Sequence, residues 1–450
     1  MLDSQAAFYS ITVANLSGEP WSSDGPNPVN VAYHWYDGRG GIVSYDGQRT
    51  RLPREVGPGE QAELHLRVHP PGLAGRYVLE IDVVREGVRW FEVNERVHVE
   101  VRPTTQMRAI LVNRNCIAND AVGNNIVRKL RLLRAWGVAP LLLTEYVDER
   151  LPLEDQASMV AIDERQIINP EPRMQWAAHH FWNADIYIFD YPEYYPLLEL
   201  IRIVTQGAVV FDYHSVTPPH LWGSTHSRAN VERGVAETRL VAFADYAIAH
   251  SEYTRSELLA TGLIGPDRVV VMPYAVPLER FRPDAVVTAP AEIGEGDRPV
   301  LLYVGRMAGN KRIDLLVEMA ARVKPRYPRL KLLLVGDDLA PPYQEIVAEA
   351  RRRIDAHGLQ DNVVFTGPRR HEDLPAYYRA CDVYVTSSEH EGFCIPVVEA
   401  MACGKPVVAA AAAALPWTVG DAGLLFEPGS ADDFAAKVLA LLDSKYAMSR

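Results

Sequence analysis

The strongest structural signal in this chain is Glu391-Gly-Phe-Cys-Ile-Pro-Val-Val-Glu399. The apolar and β-branched run 382–388 precedes it and is typical of a buried strand. Pro396 suits the first turn of a helix, where a proline gives up no intrahelical hydrogen bond. Gly404 suits the end of that helix, and Lys405-Pro-Val-Val then begins a second strand. The sequence therefore predicts a strand–loop–helix–strand unit whose loop leaves backbone N–H groups free at a helix N-terminus.

Two carboxylates flank this helix start. Glu391 lies in the predicted loop, and Glu399 lies about one turn into the helix. A helix N-terminus attracts anions through its unpaired donors and its dipole, so its amides suit a phosphate while the carboxylates accept hydrogen bonds from sugar hydroxyls. The whole phrase closely resembles the E-x7-E signature of the family-4 glycosyltransferases. These are retaining enzymes of the GT-B fold, in which two Rossmann-like α/β domains face each other across a cleft.

Composition sets the broad class of protein. The chain has 450 residues, of which 48% are hydrophobic and 23% charged, and it is expected to fold into about three globular domains. The net charge of -12 argues against binding of nucleic acid. The four cysteines lack disulfide or metal spacing and are predicted to be reduced thiols of a cytoplasmic protein; they are Cys116, Cys381, Cys394 and Cys403.

Membrane association is expected to be peripheral at most. The start of the chain has no basic region followed by an apolar core, so no signal peptide is expected. No uninterrupted apolar run reaches membrane-spanning length. We therefore expect a soluble cytoplasmic protein that can sit at the inner face of the membrane.

The first part of the chain, 1–103, is predicted to form an immunoglobulin-like β-sandwich. Short β-rich runs begin at Phe8, Val29, Ala62 and Arg76, and turns rich in glycine and proline separate them. This segment resembles β-sandwich modules attached to bacterial polysaccharide-assembly enzymes.

Three aromatic residues of the sandwich allow two interpretations. Trp35, Trp90 and Phe91 could form a platform that stacks on sugar rings, since aromatic faces suit the apolar face of a pyranose. Alternatively they are core and cross-strand residues. The second interpretation is favoured because large aromatics usually fill sandwich interiors.

The rest of the chain alternates between strands and helices, which indicates parallel sheets covered by helices. Residues 107–274 are predicted to form an acceptor-side Rossmann-like domain, 275–298 a linker, and 299–450 a nucleotide-sugar-binding Rossmann-like domain. The chain stops soon after the predicted helix 431–442. GT-B chains usually continue into a further terminal helix, so we expect a truncated chain or an unusual closure.

Two cations are predicted near the donor. Gly305-Arg306 ends a strand, and Lys311 is predicted to begin the next helix. Positive charges there would stabilise a leaving nucleoside diphosphate, although a solvated helix start is the simpler explanation of the same pattern. The resemblance favours the first, because the family places an arginine and a lysine of this motif on the donor diphosphate.

The resemblance implies the remaining donor contacts. Glu399 would bind the ribose hydroxyls, and the loop of Gly367, Pro368 and Arg369 would meet the base. The donor sugar and phosphate would be held by Glu391 and by the backbone of the residues that follow it, Gly392, Phe393 and Cys394.

Two residues of the preceding α/β domain complete the predicted site. His214 follows a strand in Phe211-Asp-Tyr-His-Ser-Val and resembles the histidine that many family-4 enzymes place beside the donor sugar, where it would orient or polarise the sugar. Gly123 is predicted to lie in the loop before the first helix, and it resembles the family's glycine loop near the diphosphate and acceptor. This loop has one glycine where many members have two.

No metal or other cofactor is expected. The sequence contains no Asp-x-Asp triplet and no cluster of histidine, cysteine and aspartate with ligand spacing. Basic side chains and helix termini generally replace the metal in GT-B enzymes.

The first predicted helix is basic. Arg128, Lys129, Arg131 and Arg134 alternate with apolar residues, which is a pattern that can contact anionic membranes. The favoured interpretation is a helix with one buried face and one solvated face.

Together these features predict a retaining, metal-independent glycosyltransferase. It would move a sugar from a nucleotide-diphosphate donor to a glycan or lipid-linked acceptor in bacterial cell-surface polysaccharide assembly. In the mechanism that the resemblance implies, the acceptor hydroxyl attacks from the face that the diphosphate leaves, and a phosphate oxygen takes the proton. The alternatives are a GT-B nucleotide-sugar epimerase or phosphorylase, and a non-catalytic carbohydrate-binding protein that works through the sandwich.

Overall fold

The computed structural model describes residues 7–93, 95–102, 106–118, 121–222, 228–284, 288–294 and 298–448. The chain forms two compact units. The first unit comprises Met1–Phe189 and Tyr195–Val210, and the second comprises Asp190–Tyr194 and Phe211–Arg450. The predicted domain boundaries stay predictions. Parts of the predicted linker, 285–287 and 295–297, lie outside the described residues, as do residues 103–105.

The first unit begins with two antiparallel sheets. The strands are β1 (Ala7–Ala14), β2 (Val29–Asp37), β3 (Ile42–Ser44), β4 (Thr50–Arg51), β5 (Gln61–Val68), β6 (Gly75–Arg85), β7 (Arg89–Trp90) and β8 (Glu95–Val101). β1 pairs with β5, while β3, β2, β6 and β7 follow one another in the second sheet, with β4 added to β2 and β8 to β6. Burial along β5 alternates with a period of two, as it does in a strand with one face on a core. The predicted antiparallel β-rich module is confirmed.

The aromatic residues of the sandwich are core and cross-strand residues, as favoured from the sequence. Trp35 is only 2% exposed. Phe91 packs edge-on against Trp21 with ring centroids 5.1 Å apart. Trp90 pairs across strands with Val84. These rings stabilise the sandwich by burying apolar area.

The α/β part of the first unit follows. Its elements are β9 (Arg108–Val112), β10 (Asn115–Cys116), α1 (Ala121–Ala135), β11 (Ala139–Thr144), β12 (Tyr146–Val147), α2 (Leu153–Gln156), β13 (Met159–Ala161), α3 (Arg165–Ile168), α4 (Gln175–Trp182) and β14 (Ile186–Tyr191). The strands β13, β11, β9 and β14 are parallel and lie in that order. β9 and β11 are almost fully buried apolar runs, which is what a parallel sheet covered on both faces requires.

The predicted loop around Gly123 is wrong in its extent. Gly123 lies in the first turn of α1, because the helix already begins at Ala121. A Cβ atom at position 123 would stand 2.1 Å from the carbonyl oxygen of Ile117. The glycine is therefore needed for close packing of the helix start on the preceding chain.

A buried histidine of α4 makes the stability of the fold depend on pH. His180 is 6% exposed. Burial, with a smaller effect of Arg108, lowers the pKa of His180 from 6.5 to about 4. The unfolded chain therefore binds a proton at a higher pH than the folded chain does, and the free energy of unfolding falls as the pH falls through this window.

We predict that His180→Leu reduces the loss of stability in acid. Between about pH 6.5 and about pH 4 the wild type should lose about 3 kcal/mol through this residue, and the variant should not. Urea unfolding at both ends of the window measures the difference. The control is His220→Leu, because His220 is exposed. Equal acid sensitivity of His180→Leu and the wild type would contradict the prediction.

The second unit contains the remaining strands and helices. They are β15 (Ala208–Tyr213), whose first half belongs to the first unit, α5 (Arg228–Glu237), β16 (Tyr246–Ala249), α6 (Glu252–Ala260), β17 (Val269–Val271), β18 (Val300–Val304), α7 (Ile313–Val323), β19 (Lys331–Val335), α8 (Gln344–Ala356), β20 (Val363–Gly367), α9 (Leu374–Ala380), β21 (Val383–Thr386), α10 (Ile395–Ala402), β22 (Val407–Ala410), α11 (Leu415–Val419), β23 (Leu424–Phe426) and α12 (Ala431–Met448). β15, β16 and β17 are neighbours in that order, and a parallel sheet has the order β20, β19, β18, β21, β22, β23.

The core of the C-terminal sheet lies between its strands and the helices that cover them. β18, β19, β21 and β22 are buried along most of their length. α7 buries seven of its eleven residues, and α12 packs against it. α12 is longer than predicted and ends at Met448.

None of the helices in the described ranges is both long enough and apolar enough to span a bilayer. All four cysteines are buried, and no two of them are joined in the structure.

Candidate donor site

The predicted strand–loop–helix–strand unit is confirmed. β21 ends at Thr386, and the segment 387–394, here called the signature loop, leads into α10. Pro396 stands in the first turn of α10, and Cys394 caps the helix with a left-handed backbone (φ 75°). Gly404 ends the helix region, and β22 begins at Val407. The backbone of the signature loop therefore lies at a helix N-terminus, a position that favours the binding of anions.

A nearly buried ion pair lies at this helix start. Lys311 Nζ donates to Glu391 Oε1 over 2.6 Å, and the two side chains are only 10% and 14% exposed. Burial alone would raise the pKa of Glu391. The charge and hydrogen bond of Lys311, together with Ser388, nevertheless hold that pKa below its ordinary value. The site therefore contains a carboxylate that stays ionised at neutral pH and is held by the side chain of Lys311.

The prediction that Lys311 begins a helix is wrong. It ends a short helical turn, Gly309–Lys311, and α7 begins at Ile313. Between them Arg312 takes a left-handed backbone (φ 49°). Residues 305–312, which follow β18 and include this turn, are here called the lysine loop.

Hydrogen bonds join the lysine loop to the signature loop. The side-chain amide of Asn310 donates to the carbonyl of His390 over 2.9 Å, and the amide of Glu389 donates to the carbonyl of Asn310 over 2.8 Å. The hydroxyl of Ser387 lies 2.8 Å from the carbonyl oxygen of Lys311. More than seventy residues separate the two loops in the chain, yet they form one rigid surface.

Arg306 follows β18 as predicted. Its carbonyl accepts a hydrogen bond from the hydroxyl of buried Tyr303 over 2.8 Å, and Arg306 is exposed to solvent. Its contact with a donor diphosphate stays a prediction.

Glycines end three neighbouring strands, β18, β19 and β20. They are Gly305, Gly336 and Gly367. The amide of Gly305 donates to the carbonyl of Val335 over 3.0 Å, and the amide of Gly336 donates to the carbonyl of Gly367 over 3.2 Å. A Cβ atom at Gly336 would stand 2.0 Å from the carbonyl oxygen of Gly305. This carboxyl edge of a parallel sheet is thus formed by backbone, which is where ligands of open α/β sheets bind.

Glu399 is buried in α10. Its Oε2 accepts from the hydroxyl of Tyr378 over 2.8 Å, and its Oε1 lies 3.1 Å from Nε2 of His371. Each carboxylate oxygen has a second lone pair, so the predicted ribose contact is compatible with these bonds. That contact stays a prediction.

The segment predicted to meet the base is anchored through its arginine. Gly367 has a positive φ of 74°. After Pro368, Arg369 donates to the hydroxyl of Tyr377 over 2.6 Å and forms an ion pair with Glu292. The guanidinium therefore fixes the loop, while a role for Gly367, Pro368 and Arg369 in base recognition stays a prediction.

The chain at His214, just after β15, contacts the signature loop within the second unit. A Cβ atom at Gly392 would stand 2.4 Å from the carbonyl oxygen of His214. The hydroxyl of Ser251 donates to the carbonyl of Gly392 over 2.8 Å. The ring of Phe393 lies against Tyr274. The backbone of His214 therefore lies against the signature loop.

The ring of His214 is held by the protein. Nε2 lies 3.0 Å from Oδ1 of buried Asp190, and Nδ1 contacts the hydroxyl of Tyr274. Burial lowers the pKa of His214, although the carboxylates of Asp212 and Asp190 oppose this effect. His214 is thus positioned as a neutral ring, and its predicted contact with the donor sugar stays a prediction.

Three polar residues beside this segment were not predicted. Ser215 has a left-handed backbone (φ 69°). Its hydroxyl donates to Glu257 over 2.6 Å and lies 3.2 Å from Nε2 of His390. Only Ser215 and His390 had a signal in the sequence, because each adjoins a residue of the predicted site. Glu257 lies within α6 and had none.

One cluster has the composition of a metal site. Asp212, His214 and His250 each offer a ligand atom, and these atoms lie within 4.8 Å of one another. However, His250 Nδ1 lies 2.8 Å from the carbonyl of Met272, and both ring nitrogens of His214 have the contacts described above. The contact of His250 Nδ1 leaves its Nε2 facing Oδ1 of Asp212 over 2.8 Å, so the contacts that a metal would have to replace are those of His214. The expectation of a metal-independent reaction stays a prediction.

Two of the basic residues of α1 are engaged within the first unit. Arg131 forms a bidentate pair with buried Asp155 over 2.9 and 2.6 Å. Arg134 lies 3.5 Å from the same carboxylate. This agrees with a structural helix face, and membrane contact stays a prediction. Gly123 also lies in the first unit, so its predicted role in the donor site stays a prediction.

Solved structures of glycosyltransferases have the same fold. Sucrose-phosphate synthase from Thermosynechococcus elongatus superposes with a TM-score of 0.62 at 24% identity, over 76% of this chain and 91% of that one. The Anabaena protein HepE, in complex with UDP-glucose, gives 0.60 at 20% identity over the same shares. The predicted α/β fold class, GT-B with a β-rich N-terminal region, is confirmed.

Sequence comparisons show which family the C-terminal part of the chain resembles. Residues 288–450 match the family of glycosyl transferases group 1. D-inositol 3-phosphate glycosyltransferase of Mycobacteroides abscessus is 35% identical over 216 residues, 47% of this chain and 48% of the relative. The protein of that name from Geodermatophilus obscurus is 36% identical over 228 residues, 48% and 50% of the two chains. The chain spans about half the length of these curated relatives. The match covers the C-terminal part of the chain and confirms the resemblance at Glu391.

Proposed function

We propose that this protein is a retaining glycosyltransferase that transfers a sugar from a nucleoside-diphosphate sugar to a glycan or lipid-linked acceptor. The observation that carries the proposal is the ion pair of Lys311 and Glu391 at the N-terminus of α10. It combines a cation for a leaving diphosphate with a carboxylate for sugar hydroxyls, beside backbone amides.

The glycine edge supports a nucleotide donor. Gly305, Gly336 and Gly367 follow or end three neighbouring parallel strands, so backbone forms the carboxyl edge at which ligands of open α/β sheets bind. Glu399 lies on α10, which begins at the signature loop, and we propose that it binds the ribose. UDP-glucose, which the Anabaena protein binds, is the first donor to test.

The mechanism is the one that the resemblance to the family-4 glycosyltransferases implies. The bond between the anomeric carbon and the diphosphate breaks as the acceptor hydroxyl attacks from the same face. A diphosphate oxygen takes the hydroxyl proton, so no protein base is required. Lys311, and Arg306 with it, would stabilise the negative charge that grows on the diphosphate, an interaction that is strongest in the transition state. His214 and the segment around it would hold the sugar, and the reaction would require no metal.

The biological setting is proposed on the same basis. A role in assembling bacterial cell-surface polysaccharide, at the inner face of the membrane, would agree with the likeness of the N-terminal module to β-sandwich modules of polysaccharide-assembly enzymes. The D-inositol 3-phosphate glycosyltransferases among its relatives make a phosphorylated polyol a second acceptor class to test.

A coupled assay of diphosphate release tests the function. The full chain is incubated with UDP-glucose and other nucleotide sugars, with and without glycan, lipid-linked and inositol-phosphate acceptors. We expect release that depends on an acceptor, does not require added divalent metal, and gives a product whose anomeric configuration by NMR matches the donor. Release without acceptor would indicate an epimerase or hydrolase, and an inverted product would contradict retention. Absence of both release and thermal stabilisation by every nucleotide sugar would overturn the proposal.

A further inference from the structure

Three side chains that can bind a metal lie at the carboxyl ends of two neighbouring strands in the second unit. Asp212 is in β15, His214 follows that strand directly, and His250 follows β16. One ligand atom from each residue lies within 4.8 Å of the other two. The three side chains are between 1% and 6% exposed. Buried polar groups need partners, so the hydrogen bonds of these residues decide what else they can bind.

His250 directs one nitrogen at the cluster. Its Nδ1 lies 2.8 Å from the carbonyl oxygen of Met272, and because a carbonyl only accepts, Nδ1 carries the hydrogen. Nε2 of a neutral ring is then an acceptor, and it lies 2.8 Å from Oδ1 of Asp212, which is also an acceptor. Nε2 makes no hydrogen bond with any described residue, so the direction of this short contact does not suit a shared hydrogen. A metal ion bound by both atoms would explain their closeness.

The ring of His214 is directed at the same point. The strands lie in the order β14, β15, β16, β17. Nε2 of His214 lies 3.0 Å from Asp190 in β14, whereas Nδ1 contacts the hydroxyl of Tyr274, which follows β17. The ring of Tyr274 stacks on His250 with centroids 3.8 Å apart, so Nδ1 faces the side on which His250 lies. Replacing a neutral hydroxyl costs less than replacing a carboxylate, so Nδ1 is the nitrogen that an ion can take.

Both histidines have the outer partners that metal-binding histidines usually have. In metal sites the second ring nitrogen almost always donates its hydrogen to a carboxylate or a backbone carbonyl, which fixes the ring and its tautomer. Here Met272 provides the carbonyl for His250, and Asp190 provides the carboxylate for His214. One nitrogen of each ring is therefore left for the cluster with Asp212.

The donor atoms select the kind of metal. Two imidazole nitrogens and one carboxylate suit zinc and similar transition metals, whereas magnesium and calcium prefer oxygen alone. Zinc sites with three protein ligands keep a further position for water. Ligand atoms of a metal site face one another and bury one another, so the low exposure of these side chains agrees with such a site.

We propose that Asp212, Nδ1 of His214 and Nε2 of His250 bind one divalent ion of the zinc type, with water at the remaining position. The ion joins the carboxyl ends of β15 and β16. The site goes beyond the proposed transfer reaction, which requires no metal. Because His214 is also proposed to hold the donor sugar, the ion is assigned to the protein without bound donor.

Metal titration tests the site in the full chain after treatment with EDTA and in the absence of nucleotide. Calorimetry measures zinc binding, and the visible absorption of cobalt reports the geometry of its ligands. We expect one ion per chain, bound in preference to magnesium. His250→Ala should weaken zinc binding at least about a hundredfold, since loss of an outer partner alone costs about 10–100-fold.

Tyr274→Phe should have the opposite effect. It keeps the ring that stacks on His250 but removes the hydroxyl that competes for Nδ1 of His214. Zinc should therefore bind about 2–10-fold more tightly, which corresponds to the loss of one competing hydrogen bond. A histidine cluster with a structural role alone would not show this gain.

The control is His98→Ala, because His98 is exposed on β8 in the first unit. It should bind zinc as the wild type does. Circular dichroism establishes that each variant is folded. No binding by the folded wild type at submillimolar zinc would overturn the proposal, as would unchanged binding in folded His250→Ala, weaker binding in Tyr274→Phe, or displacement of the ion by magnesium. Since neither nucleotide nor acceptor is present, none of these results depends on sugar transfer.

Discussion

Lys311→Ala is expected to lower the rate of sugar transfer at least about a hundredfold and to destabilise the second unit by about 3 kcal/mol. The two effects have different causes. The rate falls because a fixed cation no longer stabilises the departing diphosphate. The stability falls because the carboxylate of Glu391, only 14% exposed, is left without its partner. Diphosphate release and urea unfolding measure the two effects separately.

A double variant separates the causes. In Lys311→Met with Glu391→Gln no charge is left buried and unpaired, so most of the lost stability should return. The rate should stay low, because the cation is still absent. The matched control is Lys437→Ala: Lys437 is exposed and lies 3.9 Å from Asp433 on α12, where an ion pair contributes little. A single variant Lys311→Ala with normal rate and normal stability would show that the pair has neither role.

Gly392→Ala is expected to be the most damaging single-methyl substitution in the signature loop. The added Cβ atom would stand 2.4 Å from the carbonyl oxygen of His214 and 3.1 Å from Cβ of Ser215. The first obstacle is backbone, so the loop itself must move, and its bond from Ser251 is lost with it. We expect a loss of about 1–3 kcal/mol in stability and a large loss of transfer rate.

The control for this variant is Gly18→Ala. Gly18 has nothing within 4 Å of the added Cβ atom and no positive φ, so both properties should stay close to those of the wild type. Thermal unfolding and the diphosphate-release assay compare the two variants. Normal activity in Gly392→Ala would contradict the close contact between the signature loop and the segment of His214.

The signature loop could be predicted because its signals are local. A buried run, a proline at a helix start and a glycine after the helix each restrict the backbone of their own neighbourhood. The start of α1, in contrast, was predicted wrongly. Gly123 was assigned to a loop and likened to the family's glycine loop, whereas it lies in the helix and packs closely against Ile117.

Contacts between distant segments could not be predicted from spacing. The bond between Ser215 and His390 joins residues 175 positions apart, and that between Asn310 and His390 joins residues 80 apart. The cation Lys311 was identified by resemblance, but its pairing with Glu391 was not. β8 is a different case. Its alternating valines are a clear strand signal in the sequence, although no strand was predicted there.

The burial of the four cysteines has a practical consequence for measuring motion. Burial raises the pKa of Cys381 to about 12 and that of Cys403 to about 11, and it raises the pKa of Cys394 well above its ordinary value. Thiols held in this way react slowly with maleimides. A single cysteine introduced at exposed Glu345 on α8 would therefore take a fluorophore selectively, with all four native thiols left in place. The native protein thus serves directly as the background for distance measurements by fluorescence.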